Sequence, residues 1–265
     1  MRAAQTAEKR WEAAQNAEKQ FWKGRHFDFQ IFPKELELLK KHHIKTENKK
    51  ILEIGSGPTG IVNVLKGKRY AIDPLMDLFL SNCDLPKQIK YIRGKGEDLP
   101  FADKFFDIIF CLNTLDHVDS PYKILKESYR CLKKDGLFFI ALNCYSPQTV
   151  WIKEFSENIG AGDICHPHSY TTDKIKNALI SQGFEIIEIK KGSLSQKDHK
   201  GNILKVPTMQ KLLSVIESRG AGYVFKRALV LPFHALFGFL FKNYPNSLFL
   251  CKKVGLRNNK TISRQ

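Results

Sequence analysis

Within the ten residues Ile51-Leu-Glu-Ile-Gly-Ser-Gly-Pro-Thr-Gly60 the chain places one carboxylate and three glycines where a ligand can meet bare backbone. Glycine has no Cβ and accepts a positive φ, so a turn built from Gly55, Gly57 and Gly60 lets a nucleotide-like group approach the main chain closely. The Gly-x-Gly-x-x-Gly spacing alone is shared with NAD and FAD sites. Glu53, two residues before the first glycine, changes the balance, because its carboxylate would repel a pyrophosphate and suits a ligand that carries a cation. A second acid, Asp73, follows 18 residues after Gly55 and can accept both hydroxyls of a ribose. Candidates for proton transfer come later. Asp116-His117 follows an apolar run, and His166, His168 and Tyr170 share the segment Asp163-Ile-Cys-His-Pro-His-Ser-Tyr170. Histidine suits a general base because it titrates near neutrality. Cys165, His166 and His168 have no fourth ligand nearby in the sequence, so no metal is expected.

These residues need a scaffold that ends strands beside one another. Ile51 to Ile54 reads as a buried strand entering the glycine turn, with a helix expected over Ile61-Val-Asn-Val-Leu65 and a second strand over Lys68-Arg-Tyr-Ala-Ile-Asp73. Phe105-Phe-Asp-Ile-Ile-Phe-Cys-Leu-Asn113 is an apolar run of strand length. A helix pattern covers Pro121 to Leu132 and leads through Lys134-Asp-Gly136 to the strand Leu137-Phe-Phe-Ile-Ala-Leu142. The helix Asp173 to Ser181, Gly183 and the strand Phe184-Glu-Ile-Ile-Glu-Ile-Lys190 follow. Alternation of strands and helices predicts an α/β fold with a doubly wound, mostly parallel sheet.

The glycine turn, Glu53, Asp73, the stretch Gly94-Lys-Gly-Glu-Asp-Leu-Pro-Phe101 and the run through Asn113-Thr-Leu-Asp-His-Val118 occur in the order found in class I S-adenosylmethionine (SAM)-dependent methyltransferases. Over about residues 48–190 the chain resembles their small-molecule, ubiquinone/menaquinone methyltransferase-like group. The resemblance implies a seven-stranded Rossmann-like sheet with an antiparallel last strand, here Ser247 to Lys253, and SAM as cofactor. It implies that Gly55, Ser56 and Gly57 face the homocysteine moiety, that Glu53 organises its amino-acid end, and that Asp73, followed by Pro74, holds the ribose. Gly96 and Glu97 fall where the family contacts adenine, and Asn113 faces the methionine portion. The family's usual acid two residues before Glu97 is replaced by Lys95, so the adenine contact passes to Glu97, Asp98 or backbone. His117 serves either catalysis or packing. His166, His168 and Tyr170 are acceptor contacts, with His168 a candidate general base.

Residues 1–47 are expected as a helical extension, 48–253 as the methyltransferase domain and 254–265 as a basic tail. The near-repeat Ala3-Ala-Gln-Thr-Ala-Glu-Lys-Arg-Trp11 and Ala13-Ala-Gln-Asn-Ala-Glu-Lys-Gln-Phe21 is made of strong helix formers and brings Trp11 and Phe21 near one face, with Trp22 adjacent. It either closes over the ligand or packs on the sheet edge. Pro33 starts a second, amphipathic helix. The first 25 residues lack an apolar core, and the six cysteines show no paired spacing, which points to a cytoplasmic, reduced protein.

The net charge of +16 is concentrated: residues 190–265 hold 15 Lys and Arg against two acids. Such a tail implies an anionic partner. Between the last two strands, residues 192–245 are expected as a helical insertion whose 14-residue stretch 228–241 has no formal charge. Fourteen helical residues span about 21 Å, short of a membrane crossing. This run is either an interfacial helix on the inner face of a membrane or a lid on the catalytic domain. Three functions follow: methylation of O or N, less readily C, on a small-molecule, glycan or lipid-linked acceptor; RNA methylation through the basic region; or SAM binding without catalysis. The Asn-Thr-Leu-Asp116 tetrapeptide lacks the prolines of amino-group nucleic-acid methylation, which disfavours the RNA reading.

Overall fold

Strand β1 (Lys50–Ile54) is an interior strand of the sheet, and every residue in it after Lys50 is buried. Its side chains alternate between two cores, Leu52 and Ile54 on one side of the sheet and Ile51 on the other. The structure, a computed structural model, describes residues 2–22, 32–161, 165–192 and 244–255, with scattered positions between 222 and 232. Nearly all of the expected 192–245 insertion, with its apolar run, and most of the 254–265 tail lie outside the described residues.

The sheet has seven strands in the order β3-β2-β1-β4-β5-β7-β6. Beyond β1 these are β2 (Lys68–Asp73), β3 (Ile89–Arg93), β4 (Phe106–Leu112), β5 (Leu132–Cys144), β6 (Phe184–Lys190) and β7 (Tyr244–Lys253). β1 pairs in parallel with β2 and with β4, β3 with β2, and β5 with β4. β7 runs antiparallel to both β5 and β6, as expected for the last strand. β4 and β5 are apolar on both faces, like β1, so their sequence reads as continuous rather than alternating hydrophobicity. Chain order reverses between β1 and β4, and the carboxyl ends of these two strands flank the crevice where open α/β sheets take ligands.

The helices are α1 (Arg2–Trp22), α2 (Pro33–Lys41), α3 (Met76–Asn82), α4 (Pro121–Cys131), α5 (Pro147–Asn158) and α6 (Thr172–Ser181). The side chain of Thr171 caps α6 by accepting from Lys174 N, and Ser146 caps α5 by accepting from Thr149 N. α2 is tied to the far edge of the sheet, where Lys41 and His42 both meet the Glu188 carboxylate on β6 at 2.7 Å. No helix among the described residues is long and apolar enough to cross a membrane.

Two expectations need correction. The helix expected over 61–65 is a single 3-10 turn, Ile61–Asn63. Ile61, Val62 and Leu65 are all buried, and Gly67 at φ +110° already turns the chain into β2, leaving no length for a full helix. The turn expected at Lys134-Asp-Gly136 is an irregularity inside β5. The β4 register jumps from Phe106↔Leu132 to Ile108↔Leu137, with Asp135 at φ +60°.

Candidate active site

The glycine turn is shaped by three neighbours. Gly55 has φ +67° and donates its N–H to Ile72 O at 2.8 Å, and a Cβ there would overlap the Thr114 side chain. The Thr114 hydroxyl lies 3.0 Å from Leu112 O and 3.2 Å from Ile54 O, bridging the ends of β4 and β1. Gly57 has φ +53°, and the ring of Trp22 lies over it. A Cβ on Gly60 would strike the Glu53 carboxylate.

Glu53 is 2% exposed, does not line the cavity, and accepts from Val62 N at 3.1 Å. It therefore braces the turn from beneath instead of meeting a ligand. Burial pushes its carboxyl up to about 8. A proton held more tightly in the folded chain than in the unfolded one, whose value is near 4.5, stabilises the fold fully below pH 4.5. That contribution is lost as pH rises and is gone above about 8. Glu53→Gln keeps an acceptor for Val62 N and has no proton to lose. The unfolding free energy of the wild type should fall relative to the variant between about pH 5 and 8, on the order of 1–4 kcal/mol. Parallel pH profiles of chemical unfolding would contradict this.

Asp73, at the end of β2, reaches the cavity. Its Oδ2 accepts from Gly57 N at 3.0 Å and its Oδ1 from Leu75 N at 2.8 Å. Each carboxylate oxygen retains a second lone pair for a ligand hydroxyl. Burial raises its pKa above the ordinary value, and the two backbone donors oppose that rise.

The cavity holds about 880 Å³ and lies against the ends of β1, β2 and β4. Ile72, Leu75 and Phe79 give it an apolar wall, while Gly55, Gly57, Pro74, Gly96, Glu97 and Asn113 reach it as the sequence reading placed them. Asn113 is held at φ +52° with its N–H donating to Ala141 O at 2.8 Å. Ser56 is 8% exposed, lies within hydrogen-bond distance of Gly57 O, and does not line the cavity. Asp98 is exposed and also stands off it. Glu97 commits Oε1 to the backbone N–H groups of Asp119 (3.0 Å) and Ser120 (3.3 Å), at the start of α4.

The departure at Lys95 acquires a physical role. Its ammonium sits 4.0 Å above the Trp11 ring and 3.5 Å from Asp119, which also pairs with Arg10 at 2.9 Å. Lys95 thus fastens α1 over the cavity. Trp11, Gln15, Glu18 and Trp22 all line it. Residues spaced by 4, 3 and 4 share one helix face, so Trp22 joins Trp11 there. The Phe21 side chain lies outside the described residues. The sequence reading missed Glu18, Gln15 and Thr114 as cavity residues. The helical spacing from Trp11 was the available signal for the first two.

The histidines divide. His117 lines the cavity with Nδ1 3.5 Å from Glu18 Oε1, and its ring centroid lies 4.2 Å from that of His166, which also lines it. The His117 contact holds the Glu18 carboxyl below its usual range. His168 stands apart. Its Nε2 donates to Val118 O at 2.8 Å, and it does not line the cavity. Burial lowers its pKa. Tyr170 is 8% exposed, and its O accepts from Tyr145 N at 2.8 Å. His168 pins the 165–170 segment to the loop after β4 and Tyr170 pins it to the end of β5, and neither residue lines the cavity.

Residues 52–140 match a family model described as a methyltransferase domain. An uncharacterized protein of Methanocaldococcus jannaschii, MJ1123, is 34% identical over 114 residues, 42% of this chain and 52% of that protein. Demethylmenaquinone methyltransferase of Lactobacillus johnsonii is 31% identical over 156 residues, 52% of this chain and 63% of that enzyme. The chain spans about half the length of the first curated relatives it matches. Among solved structures, phosphoethanolamine N-methyltransferase 2 of Haemonchus contortus in complex with S-adenosyl-L-methionine superposes with a TM-score of 0.54 at 16% identity, covering 84% of this chain and 53% of that one. That likeness carries the fold alone. With the motif order, the seven-stranded sheet and the family match in agreement, residues 52–140 are a methyltransferase domain of the class I SAM-dependent type.

Proposed function

We propose that the protein binds SAM in the cavity beside the glycine turn and transfers its methyl group to an O or N of a small-molecule, glycan or lipid-linked acceptor. The observation that carries the reading is the buried Asp73 carboxylate facing the cavity next to Gly57, in a crevice at the switch point of the sheet. Ribose hydroxyls can donate to that carboxylate. The sulfonium makes the methyl electrophilic, so the protein mainly has to align the acceptor with the S–CH₃ bond and exclude water. α1, fastened by Lys95 and Arg10, supplies the cover. His117 and His166 are the polar side chains an acceptor would meet. The stretch 226–242, apolar between flanking cations, is assigned to an anionic membrane surface.

Incubation with methyl-labelled SAM and separated metabolite, lipid and RNA fractions tests the reading. Label is expected in the metabolite or lipid fraction. Label confined to RNA would overturn the acceptor class, and no transfer to any fraction would favour SAM binding without catalysis.

A further inference from the structure

Two loops separated by some 50 residues in the chain meet at the cavity wall. Asp116, His117 and His166 each offer a donor atom, and these three atoms all lie within 4.8 Å of one another. The sequence reading looked for a metal among Cys165, His166 and His168, which are chain neighbours, and expected none. The fold selects a different trio. His168 is turned away to the Val118 carbonyl, and its bond draws the 165–170 segment against the loop that carries Asp116 and His117.

Three features give this trio the character of a ligand set. Asp116 is 8% exposed, yet its buried Oδ1 makes no hydrogen bond among the described residues. A buried carboxylate oxygen without a donor is costly, and a cation relieves that cost directly. His117 Nε2 is 3.9 Å from that same oxygen, too far for a hydrogen bond. Its other nitrogen, Nδ1, faces Glu18 Oε1 at 3.5 Å. A carboxylate behind one ring nitrogen orients the imidazole, which is how histidine ligands to metals are commonly supported. His166 completes the set, its ring 4.2 Å from that of His117.

We infer that Asp116, His117 and His166 bind one divalent first-row transition ion at the wall of the cavity, with Glu18 as the positioning residue behind His117. Tetrahedral donors on such an ion stand about 3.4 Å apart, so side chains on these two irregular loops close by roughly 0.5–1.5 Å around it. Two imidazoles and one carboxylate suit zinc, cobalt, iron or nickel better than magnesium or calcium, which take oxygen ligands. Three protein ligands leave coordination positions open toward the cavity. Resting on the methyltransferase reading, this narrows the acceptor to a molecule that presents an oxygen or nitrogen able to ligate the ion.

The probe is Co²⁺ alone, titrated into the full chain purified without a polyhistidine tag and stripped with chelator. The expected result is one equivalent bound at micromolar or tighter affinity, with the visible absorption of a four- or five-coordinate site. His166→Ala and Asp116→Asn should each weaken binding about tenfold or more. Glu18→Gln should weaken it ~10–100-fold, an effect that a purely structural Glu18 would not produce. Circular dichroism establishes that each variant is folded. Absence of stoichiometric Co²⁺ binding by the wild type, or unchanged affinity in the folded His166→Ala and Asp116→Asn variants, would overturn the inference. S-adenosylhomocysteine is titrated into the same stripped wild type. Co²⁺ binding without it upholds the metal site and refutes the cofactor reading, and the converse result does the opposite.

Discussion

Asp73→Ala is expected to lower the affinity for SAM by tenfold or more and to lower stability as well. Hydrogen bonds to a charged acceptor contribute about 1.5–3 kcal/mol, and 1.4 kcal/mol corresponds to one decade in affinity. The same substitution removes the acceptor of both Gly57 N and Leu75 N, whose donors sit at 3.0 and 2.8 Å from the carboxylate. A buried donor left unpaired costs roughly 1–3 kcal/mol. The effect on binding therefore combines a lost ribose contact with a loosened turn. Asp73→Asn separates the two in part: its amide oxygen can serve one N–H, while its amino group opposes the other. Calorimetric affinity and the unfolding midpoint, measured on the same samples, check the prediction. A folded Asp73→Ala protein with wild-type affinity would remove Asp73 from the ribose role.

Gly55→Ala should be as damaging by a different route. At φ +67° an L side chain is strained by about 1–2 kcal/mol, and the added Cβ overlaps the Thr114 side chain. Overpacking of this kind costs roughly 1–3 kcal/mol more. Thr114 cannot move freely, because its hydroxyl bridges the carbonyls of Leu112 and Ile54. The expected outcome is a lowered unfolding midpoint together with loss of SAM binding. Adding Thr114→Ala removes the two closest contacts and keeps the Thr114 Cβ at 2.9 Å, so it should relieve part of the packing cost, leave the backbone part, and place the double variant between Gly55→Ala and the wild type. Denaturant unfolding of the four proteins measures this. Equal stability of Gly55→Ala and wild type would mean that the turn is not the tight bridge described here.

The central sheet was legible because β1, β4 and β5 are short apolar runs that end in turn residues, and because Asp73 and Gly183 mark boundaries in the chain itself. β6 and α4 were placed to within a residue for the same reason. α5 was missed although Ser146-Pro147 is a start signal. Its aromatics Trp151 and Phe155 stack on each other at the surface, 60% and 43% exposed, so the segment lacks a clean apolar stripe. Glu53 was assigned to the ligand on charge alone. Whether a carboxylate faces into a cavity or under a turn is set by strand alternation, and odd-numbered β1 positions point away from the crevice core that takes Leu52 and Ile54. On α1, Trp22 lies about three helical turns after Trp11 and shares its cavity-lining face. The grouping of Asp116 and His117 with His166 was not legible at all. It depends on β4 lying beside β5 and on Tyr170 bridging Cys144 at the end of β5, which brings the segment between α5 and α6 to the loop after β4.

The most direct test of the account is a calorimetric titration of the full chain with S-adenosylhomocysteine, with NAD as the comparison. The account predicts micromolar binding of the first at one equivalent, lost in Asp73→Ala, and no binding of NAD. Binding of NAD with none of S-adenosylhomocysteine would contradict it, because the cavity beside Gly55, Gly57 and Asp73 would then hold a dinucleotide in place of SAM.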